Sequence, residues 1–272
     1  MDRLLTLKLD AIGCEAEALL NGVPLARVNA ARPRALVPIH EYTLAGMNRL
    51  ELVVWPNPIA AKPEDLPPPM RLKADGHTSA TARILLPRMG NNVDETSSRS
   101  LADIVWAPAE GERFEPPVSL SQDLQLPVSF PRWRWMDAPA AEPQPAQMAQ
   151  LKAQAAAMIQ QFGQEFAAGE FTTFFKATQL RSEEVAVAYQ RPAEQSLQQL
   201  RQRFEAIAAA GTPWVAVEPE SLVLRRLAGG RLFECMTADG EPALRTEPDE
   251  HGRVHAFPLR LAAVEGRLYV LR

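Results

Sequence analysis

The side chains able to do chemistry are few and scattered. The chain has four histidines and two cysteines. His251 and His255 stand four apart in EHGRVHAFPL, a spacing that on a helix would offer zinc two ligands. The glycine and the alternation there read instead as a β-hairpin. Residues four apart on a strand lie roughly 13 Å from each other at ~3.3 Å per residue, so one ion cannot bridge them. His40 and His77 have no neighbouring Cys or His. No metal and no cofactor is expected. Glu183-Glu184 and the pair Glu218 and Glu220 offer carboxylates for general acid–base work. They read as solvated helix or strand edges, because acidic residues are seldom buried. No Ser or Cys has the G-x-S-x-G surroundings of a nucleophile elbow. Gly229-Gly230 and Gly90-Asn91-Asn92 lack the lysine-ended pattern of a phosphate loop. The polar run Asp94–Ser100 reads as a loop without a nameable mechanism. The reading therefore leans away from an enzyme.

Aromatic residues supply the remaining candidates. Phe162, Phe166, Phe171, Phe174, Phe175, Trp214 and Tyr269 fall in the second half of the chain, where they either line an apolar pocket or fill a core. Trp133 and Trp135 alternate with arginines in PRWRWMD. They read as one face of a terminal strand buried at a domain boundary, with a stacking platform for a sugar or base as the alternative. Cys14 and Cys235 lie in apolar segments and read as small buried hydrophobes.

The elements that must hold these residues change character along the chain. With 272 residues, 46% hydrophobic and 23% charged, the chain is folded rather than disordered and long enough for two domains. The net charge of -4 is spread evenly, so no nucleic-acid footprint is expected. No window approaches the ~18 apolar residues of a membrane span, and MDRLLTLKLD lacks a signal-peptide core, so the expectation is a cytoplasmic protein with no membrane partner. Residues 3–9 alternate, with Leu4, Leu7 and Leu9 as core candidates. Residues 16–20 run into Asn21-Gly22, a two-residue hairpin signal, and residues 23–28 return. Ala35–Ile39 is a short strand with an edge-type proline. Arg49 to Trp55 sets Leu50, Leu52 and Val54 on one face. Further strands are expected at 70–74, 80–86, 101–106 and 117–126. Three prolines mark residues 136–147 as a stiff connector.

After it the period becomes helical. Met148, Leu151, Ala155, Met158, Phe162 and Phe166 form one stripe ending at Gly169. A short helix follows at Phe171–Phe175, an ambiguous stretch at 184–190, and a helix from Ala193 with Leu197, Leu200, Phe204 and Ile207, ended by Gly211. Strands are expected at 214–227, 231–236, 254–263 and 267–271. The fold class expected is an all-β sandwich followed by an α+β domain with helices packed on a curved antiparallel sheet. The domains are 1–137 and 148–272, joined by a linker at 138–147.

Leu20-Asn21-Gly22, Val37-Pro38-Ile39 and Gly46-Met47-Asn48-Arg49-Leu50 resemble the strand–turn–strand pattern of galactose-binding-type jelly-roll domains. That resemblance implies a sandwich, and carbohydrate binding as one reading of function. The order helix–helix–(strand)–helix–strands over residues 146–272, with the closing segment Glu265–Val270, resembles the nuclear transport factor two family. This second resemblance implies a cone-shaped fold that often surrounds a pocket. No Asp–His pair of that family's enzymes can be placed. The expected function is a non-enzymatic interaction protein whose partner is another protein. The alternatives are a cone domain that binds or acts on a small apolar ligand, and a sandwich that binds carbohydrate. A homodimer through the C-terminal sheet is a further expectation.

Overall fold

A computed structural model describes residues 4–56, 72–87, 98–126 and 130–272. The described chain combines antiparallel sheets with four α-helices and divides into two compact units, Met1–Arg132 and Trp133–Arg272. Gly90-Asn91-Asn92 and residues 94–97 lie outside the described residues.

In the first unit the strands are β1 (Thr6–Ile12), β2 (Cys14–Leu20), β3 (Val23–Val28), β4 (Arg34–Pro38), β5 (Met47–Pro56), β6 (Leu72–Lys73), β7 (Ser79–Pro87), β8 (Ser98–Trp106), β9 (Arg113–Phe114) and β10 (Val118–Gln125). They form two four-stranded sheets, ordered β4-β1-β7-β8 and β10-β5-β2-β3, and a separate pair, β6-β9. A period of two dictates which side chains are inside. Leu7, Leu9 and Ala11 of β1 and Leu50, Leu52 and Val54 of β5 are buried. Leu5 continues the β1 row, not Leu4, because only odd positions share that face.

The turns are wired by side chains. Asn21 and Gly22 both have positive φ, 55° and 73°, as a two-residue hairpin requires. Asn21 Nδ2 donates to Tyr42 O at 2.8 Å and to Asn48 Oδ1 at 2.9 Å. Arg49 N–H donates to Asn21 Oδ1 at 3.0 Å, and Leu44 N–H to Asn48 Oδ1 at 2.8 Å. The residues that carry the first resemblance therefore brace two turns against each other. Buried His40 accepts the Leu5 N–H at Nε2, 2.8 Å away, and so acts as a structural acceptor.

The second unit begins with helices α1 (Pro145–Ala167), α2 (Thr172–Ala177), α3 (Gln179–Tyr189) and α4 (Ala193–Ala209). Pro145 occupies the first turn of α1, where its missing N–H costs nothing, and Gln147 accepts the Gln144 N–H. The α1 stripe buries Leu151, Ala155, Ile159, Phe162 and Phe166. The ambiguous residues 184–190 belong to α3 up to Tyr189. Buried Ala186 and Ala188 give that stretch its strand-like alternation in a helix buried on more than one side.

The sheet is β11 (Leu222–Leu227), β12 (Leu232–Thr237), β13 (Arg260–Val264) and β14 (Arg267–Val270), paired in that order. Leu222, Cys235, Leu261 and Val270 join the core cluster with the helices. Two strands are shorter than their sequence pattern. Trp214 contributes only an isolated bridge to Thr246, and Ala256 only one to Arg245. The segment 138–142 is fastened to the β11–β12 turn. Arg231 Nη1 donates to Ala138 O at 2.6 Å, Ala141 N–H to Gly230 O at 3.0 Å, and Arg226 pairs with Glu142 at 3.1 Å.

Candidate functional site

Six of the seven aromatic candidates meet in the second unit. Phe162, Phe166, Phe171 and Phe174 are buried, and Phe175 and Trp214 pack against them from partly buried positions. Phe204, which sequence reasoning placed only on a helix stripe, is also buried there. Phe166 lies 4.7 Å from both Phe204 and Trp214, 5.3 Å from Phe174 and 5.5 Å from Phe171, centroid to centroid. Rings at such separations are in edge or offset contact. Tyr269 is exposed on β14 and stands outside the cluster.

Trp133 and Trp135 are both buried, so neither offers a stacking shelf. Nor do they lie on a strand. Arg134–Met136 is a single 3-10 turn. The Arg272 guanidinium lies 5.5 Å from the Trp133 ring centroid. The same Arg272, fully buried, donates to Glu184 Oε2 at 2.5 Å, and Arg134 N–H donates to Glu184 Oε1 at 2.6 Å. Glu184 is thus a buried carboxylate and not a solvated edge. It is retained in the interior because a cation and a backbone donor satisfy it. Its neighbour Glu183 pairs with Arg134 at 3.0 Å near the surface. These carboxylates brace α3 to the chain around Trp133.

Six further groups are shifted by their local surroundings. Asp75 and Asp249 are held below the usual carboxylate range, chiefly by backbone N–H donors of His77 and of Arg253. Asp239 and Glu165 are held down chiefly by the hydroxyls of Thr237 and Thr173. Burial pushes the thiol of Cys14 up to about 11 and that of Cys235 up to about 12, and both stay protonated near neutrality. His251 is exposed, with its N–H donating to Asp249, and the His255 N–H donates to Thr246 Oγ1. The Glu218 carbonyl accepts from Ser221 and from the Leu222 N–H, and both Glu218 and Glu220 are exposed. Among the described residues no group of three or more His, Cys, Asp or Glu is placed to hold a metal ion, and no helix is long and apolar enough to cross a membrane.

On the C-terminal sheet, the face turned away from the core cluster carries Val223, Leu227, Leu232, Ala262, Tyr269 and Leu271. Of these only Val223 and Tyr269 are exposed. The outer face of β4-β1-β7-β8 differs. Its even-phase positions on β1, and their partners by register, carry Lys8, Asp10 and Ile12, Arg34 and Leu36, Arg83 and Thr81, Asp103 and Val105. Asp10 is shared by Lys8 at 3.1 Å and Arg34 at 3.4 Å, and Arg83 pairs with Asp103 at 3.0 Å. Between these ion pairs Ile12, Leu36 and Val105 stand 65%, 51% and 52% exposed. Sequence reasoning missed this set. The available signal was three branched aliphatics in the polar phase of otherwise alternating strands. A face of this kind buries area against a flat surface. No family model, curated protein or solved structure matches the chain at a significant level.

Proposed function

We propose that this chain is a non-enzymatic binding protein whose partner is another protein. The carrying observation is the outer face of β4-β1-β7-β8, with Ile12, Leu36 and Val105 exposed among ion pairs. Each of these exposed apolar side chains gains by being covered. The paired charges leave little net field, so a folded protein surface suits this face better than a polyanion. The close ring contacts of the second unit, with Phe166 4.7 Å from Phe204 and Trp214, favour a packed interior and recognition at the surface. Within this reading the first unit is a jelly-roll-like sandwich and the second a cone-like fold of helices on a curved sheet, each serving as a scaffold.

The test is affinity capture from the native host with wild-type chain, with Ile12→Glu plus Val105→Glu, and with Val187→Glu on exposed α3 as a control. A partner retained by the wild type and the control but lost by the double variant supports the reading. Capture indifferent to the double variant, or saturable binding of a small apolar ligand or a glycan with no protein partner, overturns it.

A further inference from the structure

Among the described residues the β4 strand sits at the open edge of its sheet, paired only with β1. Two bonds fix which backbone groups are used. Ile39 N–H donates to Leu5 O at 3.2 Å, and Ala11 N–H donates to Pro33 O at 2.9 Å. The register between them runs unbroken from Thr6↔Pro38 to Asp10↔Arg34. In an antiparallel ladder the bonded pairs alternate with unbonded ones. Odd-numbered residues of β4 therefore turn their peptide groups toward β1. The N–H and C=O groups of Arg34 and Leu36, and the C=O of Pro38, turn outward. Among the described residues none of these groups has a partner.

The charge at this edge is net positive, with Lys8, Arg32 and Arg34 against Asp10. Between Glu17 and Glu41 the sequence carries Arg27, Arg32 and Arg34 and no carboxylate. Arg27 is taken by Glu15. Arg34 has 82% of its side chain exposed and shares Asp10 with Lys8. Arg32 is exposed, and the turn before β4 is fixed by Asn29, whose Oδ1 accepts both the Ala31 and Arg32 N–H groups. A second copy pairing through this edge would add the same excess of positive charge, which disfavours self-pairing.

We infer that the free edge of β4 receives an extended acidic segment of the partner protein as an added strand. This rests on the protein-binding reading above and names the chemistry of the partner. Main-chain bonds to Arg34 and Leu36 supply affinity. Side chains opposite those two residues share one face, so the segment carries an acid beside Arg34 and an apolar residue two positions away, beside Leu36. Pro38, with no N–H, ends the pairing and keeps the segment short.

The test uses the full chain and a fluorescein-labelled peptide of about ten residues alternating Glu and Val. A Lys and Val peptide, and a Glu and Val peptide N-methylated on one edge, serve as comparisons. Saturable binding of the first peptide alone is expected, weakening with salt. Arg34→Glu should weaken it by about tenfold. Leu36→Pro should abolish it, since it removes an outward N–H that the β1 ladder does not use. Circular dichroism of both variants checks that they fold. Equal binding of the Lys and Val peptide, binding unaffected by both variants, or no binding overturns the inference. If partner capture still depends on Ile12 and Val105 while the peptide fails, only the edge proposal falls.

Discussion

Phe166→Ala measures whether the interior of the second unit is packed or open. The side chain is fully buried, with Phe162, Phe171, Phe174, Phe204 and Trp214 around it. Truncating a buried phenylalanine in a close-packed core costs about 3–5 kcal/mol, from lost transfer energy and from the cavity left behind. Contact with five rings places Phe166 near ~4 kcal/mol, since aromatic pairs add to area burial. A residue lining an open pocket has no atoms against one face and loses fewer contacts on truncation, about 1–2 kcal/mol. The assay is equilibrium urea unfolding followed by far-ultraviolet circular dichroism, which reports the helices. With a urea slope of ~2 kcal/mol/M, the midpoint of the helical transition should fall by about 2 M. A loss below ~2 kcal/mol, together with saturable uptake of an apolar fluorophore by the wild type, would refute the packed-core argument.

Gly230→Ala should destabilise by at least ~2 kcal/mol in the same assay, because its φ is +86° and an added Cβ would sit 2.6 Å from Ala141 O. Gly46→Ala, also at positive φ but with open space around it, should cost less by thermal melting. Arg272→Ala strands the buried Glu184 carboxylate and should cost about 3–5 kcal/mol. Adding Glu184→Gln should recover part of that loss, and a double-mutant cycle that is simply additive would show that the two do not interact. Neither thiol should react with a disulfide reagent in native protein near pH 8, and both should react after unfolding. A fast native thiol would contradict their burial. Asp75, Glu165, Asp239 and Asp249 have folded values below their ordinary ones. Their contribution is therefore present above the ordinary carboxylate range and lost as pH falls through the lowered folded values. Acid melts of Asp249→Asn should show a shallower pH dependence than wild type, and an unchanged slope would count against this account.

Much of the architecture could be read before any coordinates. Leu50, Leu52 and Val54 alternate in sequence and are buried in β5, and the stripe from Leu151 to Phe166 repeats at helical spacing and is buried in α1. Asn21-Gly22 predicts its own turn because few other residue pairs tolerate two positive φ angles. Local pattern and environment separate at two places. The 184–190 stretch alternates like a strand, yet it lies largely in a helix whose alanines are buried. PRWRWMD alternates too, yet it forms a tight turn with both tryptophans inside.

What the sequence determined by itself is local: period, turn chemistry and the absence of recognisable ligand spacing, all set by neighbours within a few residues. The fate of individual polar and aromatic groups was decided by the tertiary structure alone. Glu184 is buried because Arg272, distant in sequence, is folded against it. The three aliphatics in the polar phase of β1, β4 and β8 became one face only when register set those strands in a common sheet. Such outcomes depend on which distant segments meet, and hydrophobic spacing along the chain carries no record of that.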